Sequence, residues 1–137
     1  MRLSHAAEFA VRGTCVLAEK HGRGPIKLEA ICRERGLARE YLAKILGSLV
    51  RAGLVTAVRG KKGGYMLARD PRRITLLDVV EAVEGPIHLN FCQEDPPDCD
   101  REDCRIRPLW TDLQEMVRAR LAAQRLIDCI GNGSAHS

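Results

Sequence analysis

Aromatic residues are scarce: Phe, Tyr and Trp make up 4% of the 137 residues, so any core must be built mainly from Leu, Ile, Val and Ala. No apolar run approaches the ~20 residues that a membrane span needs. The opening Met-Arg-Leu-Ser-His-Ala-Ala-Glu-Phe is too charged for a secretory hydrophobic segment, so the expected location is the cytoplasm. The sequence offers no nucleophile–base pair, no paired carboxylates and no nucleotide loop, so no enzyme activity is expected. It has no internal repeat, and its length fits one domain or a small domain with an appendage.

Cysteine is plentiful by contrast. In a reducing compartment, six cysteines point to metal ligands or redox-active thiols rather than structural disulfides. Three of them, Cys92, Cys99 and Cys104, fall within thirteen residues, separated by six and then four others. No hydrophobic side chain interrupts that stretch, and Pro96-Pro97 excludes a regular helix. A loop unable to build its own core needs something to fold around, and a metal centre is the natural candidate. Cys15 and Cys32 sit on apolar helical stripes and read as packing residues.

Charge is unevenly divided. Residues 1–73 carry 16 Lys+Arg against 6 Asp+Glu, and residues 74–137 carry 6 against 12, giving halves of +10 and −6. A basic front half calls for a polyanionic partner, most simply nucleic acid.

The pattern of residues orders the chain. From Leu3 to Ala18, apolar and small residues recur at helical spacing. A short helix comes next, from about Lys27 to Arg35, then Gly36 suited to a left-handed helix end, then a helix from about Arg39 to Ala52. The latter buries Leu42, Ile45, Leu46 and Leu49, and shows Arg39, Glu40 and Lys44 on its opposite face. Two helices joined this way form a helix-turn-helix, although any helical hairpin would look the same. The next segment of chain decides between them. Leu54–Val58 and Tyr65–Ala68 read as two strands around Arg59-Gly60-Lys61-Lys62-Gly63-Gly64, a basic hairpin placed as a wing. Its glycines would let the backbone approach a surface, and Arg59, Lys61 and Lys62 would meet phosphates or the minor groove. Thr75 and Asp78 form a capping-box pattern for a helix running to Glu84. Beyond the cysteine loop, a 3-4 spacing from Ile106 to Ile127 predicts about 24 residues of helix, roughly 36 Å long. One face of such a helix needs a partner, so dimerisation is expected.

The expected fold class is mainly α: a winged helix-turn-helix with a two-stranded β-wing, a cysteine loop and a long C-terminal dimerisation helix. Residues 1–73 form the DNA-binding domain, 74–130 the cluster-binding loop and dimerisation helix, and 131–137 a disordered tail.

Together, Met1-Arg-Leu-Ser4, the Arg59–Tyr65 wing, the Ile74–Gly85 segment and three cysteines before a Leu-Trp helix resemble the winged-helix iron–sulfur regulator family that includes IscR and NsrR. The resemblance covers nearly the whole chain. It implies a homodimeric transcription regulator on a roughly palindromic operator in double-stranded DNA, with no membrane association. It places the helix from Arg39 in the major groove and Arg59 in the minor groove, with Arg2, Ser4, Gly60, Lys61 and Lys62 in the DNA-contacting set. It also implies that Cys92, Cys99 and Cys104 ligate an iron–sulfur cluster, 2Fe–2S or 4Fe–4S, sensing redox state, nitric oxide or cluster supply.

Such clusters usually take four protein ligands, so one is still needed. In IscR-like members it is a His three residues after the third cysteine; here that residue is Arg107, which cannot ligate iron. In NsrR-like members it is a carboxylate on the partner's first helix, and Glu8 occupies the matching position, with His5 and His88 as further candidates. The loop acids Glu94, Asp95, Asp98, Asp100, Glu102 and Asp103 would lower the reduction potential of a bound cluster. Two alternatives share the same residues, a structural zinc and a metal-free switch in which two loop thiols form a disulfide, whereas the three cysteines argue against a cluster-free regulator that binds a metabolic enzyme.

Overall fold

The structure, a computed structural model, describes residues 3–94, 96–97 and 101–131. Among these the main elements are α1 (His5–Glu19), α2 (Leu28–Arg35), α3 (Arg39–Arg51), β1 (Val55–Val58), β2 (Gly64–Leu67), α4 (Leu76–Glu84) and α5 (Arg107–Ala123). Short 3-10 turns occupy Pro71–Arg73, Phe91–Gln93 and Leu126–Cys129. This is the mainly helical winged fold that the sequence predicts. None of the described helices is long and apolar enough to cross a membrane.

Local chemistry accounts for most boundaries. Ser4 caps α1 by accepting the Ala7 N–H at 3.1 Å. Gly36 ends α2 in the left-handed region at φ 62°, where a side chain would be strained, and so permits the sharp turn into α3. Thr75 and Asp78 form the expected capping box: Asp78 N donates to Thr75 Oγ1 at 3.1 Å, and Thr75 N donates to Asp78 Oδ2 at 2.9 Å. The acidic first turn also suits the dipole of α4.

The core lies between α1, α3, α4 and the inner side of the sheet. Leu42, Ile45, Leu46 and Leu49 face it from α3, at the 3-4 spacing that puts them on one side of the helix. Leu17 and Val16 meet them from α1, Leu67 from β2, Ile74 from the segment before α4, and Val79 from α4. With so few aromatics the packing is nearly all aliphatic. Phe9 and Tyr41 meet edge-on with ring centroids 4.8 Å apart and hold α1 to α3. Thr14, fully buried, donates its hydroxyl to Ala10 O at 2.8 Å within α1.

The C-terminal helix departs from expectation. The 3-4 spacing runs on to Ile127, but α5 stops at Ala123, and Gln124 is extended. Its 17 residues span roughly 26 Å rather than 36 Å. The cause is tertiary. Leu126 is fully buried in the winged core, and backbone bonds from Leu76 N to Gln124 O (2.9 Å) and Leu126 N to Ile74 O (2.7 Å) pin the turn there. Burying one leucine and pairing two backbone groups outweighs the modest propensity of a few more helical residues.

Candidate nucleic-acid interface and cysteine loop

The solvent-facing side of α3 carries Arg39, Glu40 and Lys44, all exposed as expected. Beside it β1 and β2 pair antiparallel in the register Val55↔Leu67 to Val58↔Gly64, and lift Arg59, Gly60, Lys61 and Lys62 into solvent at the tip. Strand β1 packs against α3, and the exposed parts of α3 and of the wing tip carry mainly basic side chains. That arrangement lets a helix enter one groove of a duplex while a hairpin reaches the next.

Two of the wing glycines do a different job from the one the sequence suggests. A side chain at Gly63 would place its first carbon 2.1 Å from Val58 O, and one at Gly64 would place it 2.3 Å from Ile26 O. These glycines admit neighbouring protein backbone. At Gly64 that backbone is Ile26, which exchanges two 2.8 Å hydrogen bonds with Tyr65 and so bridges the chain before α2 to the two-stranded wing. Gly60, at φ 104° with open space around it, is the glycine that shapes the exposed tip.

Two residues that the sequence does not single out touch this surface. Lys27 Nζ donates to Lys61 O at 2.5 Å and sits 3.5 Å from Gly60 O. Glu29 accepts from Arg39 Nε at 3.1 Å. Its carboxyl is held below the usual range by its own backbone N–H and by Arg39. Neither contact has a local signature, since the partners lie far apart in the chain. Ser4, besides capping α1, donates its backbone N–H to Glu84 at 3.0 Å. Arg2 lies outside the described residues.

The cysteine loop joins α4 to α5. Cys92 sits in the Phe91–Gln93 turn and is 9% exposed, with the Gln93 amide 3.6 Å from its sulfur. Gln93 in turn accepts from Thr111 Oγ1 at 3.0 Å, tying the turn to α5. Cys104 lies just before α5. Its thiol is held below the usual range by the backbone N–H groups of Ile106 and Arg107, with the charges of Arg107 and Arg101 adding to the effect. Cys15, by contrast, is pushed up to about 11, first by burial and then by neighbouring Cys129. Burial thus disfavours the thiolate at Cys15, while backbone donors favour it at Cys104. Cys99, Asp95, Asp98 and Asp100 lie outside the described residues.

Glu8 stands on α1, half-exposed and paired with Arg12 at 2.8 Å. It lines a cavity of about 560 Å³ with Leu3, His5 and Arg12. His88 faces a second cavity, of about 550 Å³, between α4 and α5. Among the described residues no three His, Cys, Asp or Glu side chains converge on one point. The donor chemistry nevertheless suits a sulfur-ligated centre. Cys104 already has N–H donors that favour its thiolate, and the buried Nε of nearby Arg107 has no acceptor among the described atoms. A buried donor without a partner costs about 1–3 kcal/mol, and an anionic centre would supply the acceptor.

Helix α5 has two characters. On one side Arg118 pairs with Glu81 and Gln114 accepts the Leu89 N–H at 3.0 Å, fastening it to α4 and the loop. On the other side Leu109, Leu113 and Met116 form a stripe that is 53%, 36% and 66% exposed.

Residues 3–132 match the family model Rrf2, described as an iron-dependent transcriptional regulator. The transcriptional regulator CymR of Bacillus subtilis is 34% identical over 128 residues, covering 93% of this chain and 88% of CymR. IscR of Xenorhabdus nematophila is 32% identical over 132 residues, covering 96% and 80%. The solved structure of B. subtilis CymR, a global cysteine regulator, superposes with a TM-score of 0.80 at 32% identity over 94% of this chain and 95% of that one.

Proposed function

The chain belongs to the Rrf2 family of DNA-binding transcriptional regulators, and we propose that it acts as a homodimer whose operator binding is controlled by an iron–sulfur cluster. The observation that carries this reading is at the start of α5. The thiol of Cys104 is stabilised as thiolate there, beside an arginine Nε that has no acceptor among the described atoms. Cys92, Cys99 and Cys104 would hold the cluster, with Glu8 of the partner subunit as fourth ligand. When bound, the cluster supplies a centre sensitive to redox state, nitric oxide or iron–sulfur supply.

The chain's own residues account for the coupling. Glu8 gives up only an exposed pair with Arg12 in order to ligate, and such pairs are worth about 0–1 kcal/mol. Glu8 lies in the first turn of a helix that packs on both α3 and α4, so its position is linked to the reading head. The exposed stripe of α5 is the dimerisation face, and two α3 helices then read a roughly palindromic operator. Arg39, Glu40 and Lys44 face the major groove, Arg59 enters the minor groove, and Arg2, Ser4, Gly60, Lys61 and Lys62 contact the backbone. The protein works in the cytoplasm.

A second reading keeps a specific support. The depressed Cys104 thiol and the similarity to CymR also suit a switch in which loop thiols oxidise without a metal. Structural zinc would be held by the same thiols. The test is operator affinity with the centre loaded and removed, in the natural protein and in Glu8→Ala, with absorption and iron content recorded on the anaerobically purified protein.

A further inference from the structure

We infer that Lys27 is a positioning residue for the wing: it fixes the tip from below and does not contact DNA phosphate. The Lys27 ammonium bridges two main-chain carbonyls, Lys61 O at 2.5 Å and Gly60 O at 3.5 Å. Both carbonyls belong to the turn that displays Arg59, Lys61 and Lys62. The ammonium therefore lies against the main chain of that turn, closely bonded to one carbonyl and within reach of the other.

The neighbourhood explains why Lys27 can do this. Residue 26 is already stitched to the wing by its paired hydrogen bonds with Tyr65, an approach possible only because Gly64 has no side chain. Residue 28 begins α2, and Leu28 packs on the core. Lys27 is thus anchored on both sides, and its side chain rises from a fixed base to the tip. Two residues further on, Glu29 holds Arg39 at the start of α3. The beginning of α2 touches both the wing and the recognition helix, and so sets their spacing.

Without Lys27, the four-residue turn Gly60–Gly63, closed by its own Gly63 N to Gly60 O bond at 3.0 Å, would sample more conformations and need more ordering on binding. A tethered tip needs less ordering, and only at a site whose groove it fits. Loss of Lys27 should therefore reduce discrimination more than general DNA affinity. The proposal rests on the reading of the wing as a DNA-contacting element.

The test compares Lys27→Met with the natural protein on two duplexes: one enriched from a random library by the natural protein, and a shuffled copy. Lys27→Met is expected to bind the enriched duplex roughly 10-fold more weakly and the shuffled one within about twofold, with a salt slope unchanged, because a lost phosphate contact would lower that slope by about 0.9. On an Arg59→Ala background the same change is expected to cost under about twofold, because both act through one element. The tip amide of Gly63, which donates to Gly60 O at 3.0 Å, should exchange hydrogen faster in free Lys27→Met than in the natural protein. A uniform loss on both duplexes with a lowered slope would make Lys27 a phosphate contact and overturn the proposal. So would an unchanged affinity and exchange rate, or an undiminished loss on the Arg59→Ala background. If the natural protein enriches no sequence, the DNA-contacting reading of the wing falls first and this inference falls with it.

Discussion

Replacing Met116 by Lys should weaken the proposed homodimer by roughly 70-fold while leaving the protomer folded. Leu109, Leu113 and Met116 are 53%, 36% and 66% exposed on one face of α5. Full burial of such a side chain is worth about 1.5–3 kcal/mol, so covering the exposed fractions of all three gives roughly 3 kcal/mol per protomer. A two-fold interface presents each residue twice, which raises the total to about 6 kcal/mol. Met116, the most exposed of the three, supplies about 2.6 kcal/mol of it from its two copies, before any cost of placing two ammonium groups at the seam. Removing that contribution weakens association by roughly 70-fold. The assay is sedimentation velocity over a concentration series, with circular dichroism to confirm an unchanged fold. The reasoning is refuted if Met116→Lys associates as the natural protein does, or if the natural protein is monomeric throughout.

Two further outcomes test the site and the fold. Leu126→Ala should destabilise the protein by about 2–5 kcal/mol, lowering Tm by roughly 8–15 °C, because the residue is fully buried in the winged core. Were α5 to continue through Leu126 and expose it, the change would fall within about 0.5 kcal/mol. In metal-free protein at neutral pH, Cys104 should be alkylated well before Cys15. The Cys104 thiol is held below its ordinary range and becomes thiolate at lower pH, whereas Cys15, raised to about 11, stays protonated. Mass spectrometry of a timed alkylation reads the order, and preferential modification of Cys15 would contradict it.

The sequence was most legible where structure is made locally. Thr75 and Asp78 lie one turn apart, and their box formed as expected. The α3 stripe and the Gly36 turn likewise depend on neighbours in the chain. The end of α5 was not legible, because Leu121, Gln124 and Ile127 keep helical spacing while the winged core, distant in the chain, claims Leu126. Gly63 and Gly64 stood out in the sequence, but their reason, the close approach of Val58 and Ile26, exists only in three dimensions. Lys27 and Glu29 were missed on the same ground. At the cysteine loop, spacing picked out Cys92 and Cys104, yet the Arg107 Nε that lacks an acceptor among the described atoms needed burial to become visible.

The central claim is that the state of a cluster on the cysteine loop sets DNA affinity through Glu8. The direct measurement is anaerobic fluorescence anisotropy on the enriched duplex, for cluster-loaded and chelator-stripped dimer, in the natural protein and in Glu8→Ala. The account predicts a coloured, iron-containing natural protein whose two states differ in affinity by about 5–150-fold, and a difference that collapses in Glu8→Ala while the variant still folds. A colourless zinc protein, equal affinity in both states, or a Glu8→Ala variant that matches the natural protein in spectrum, redox response and affinity would contradict it.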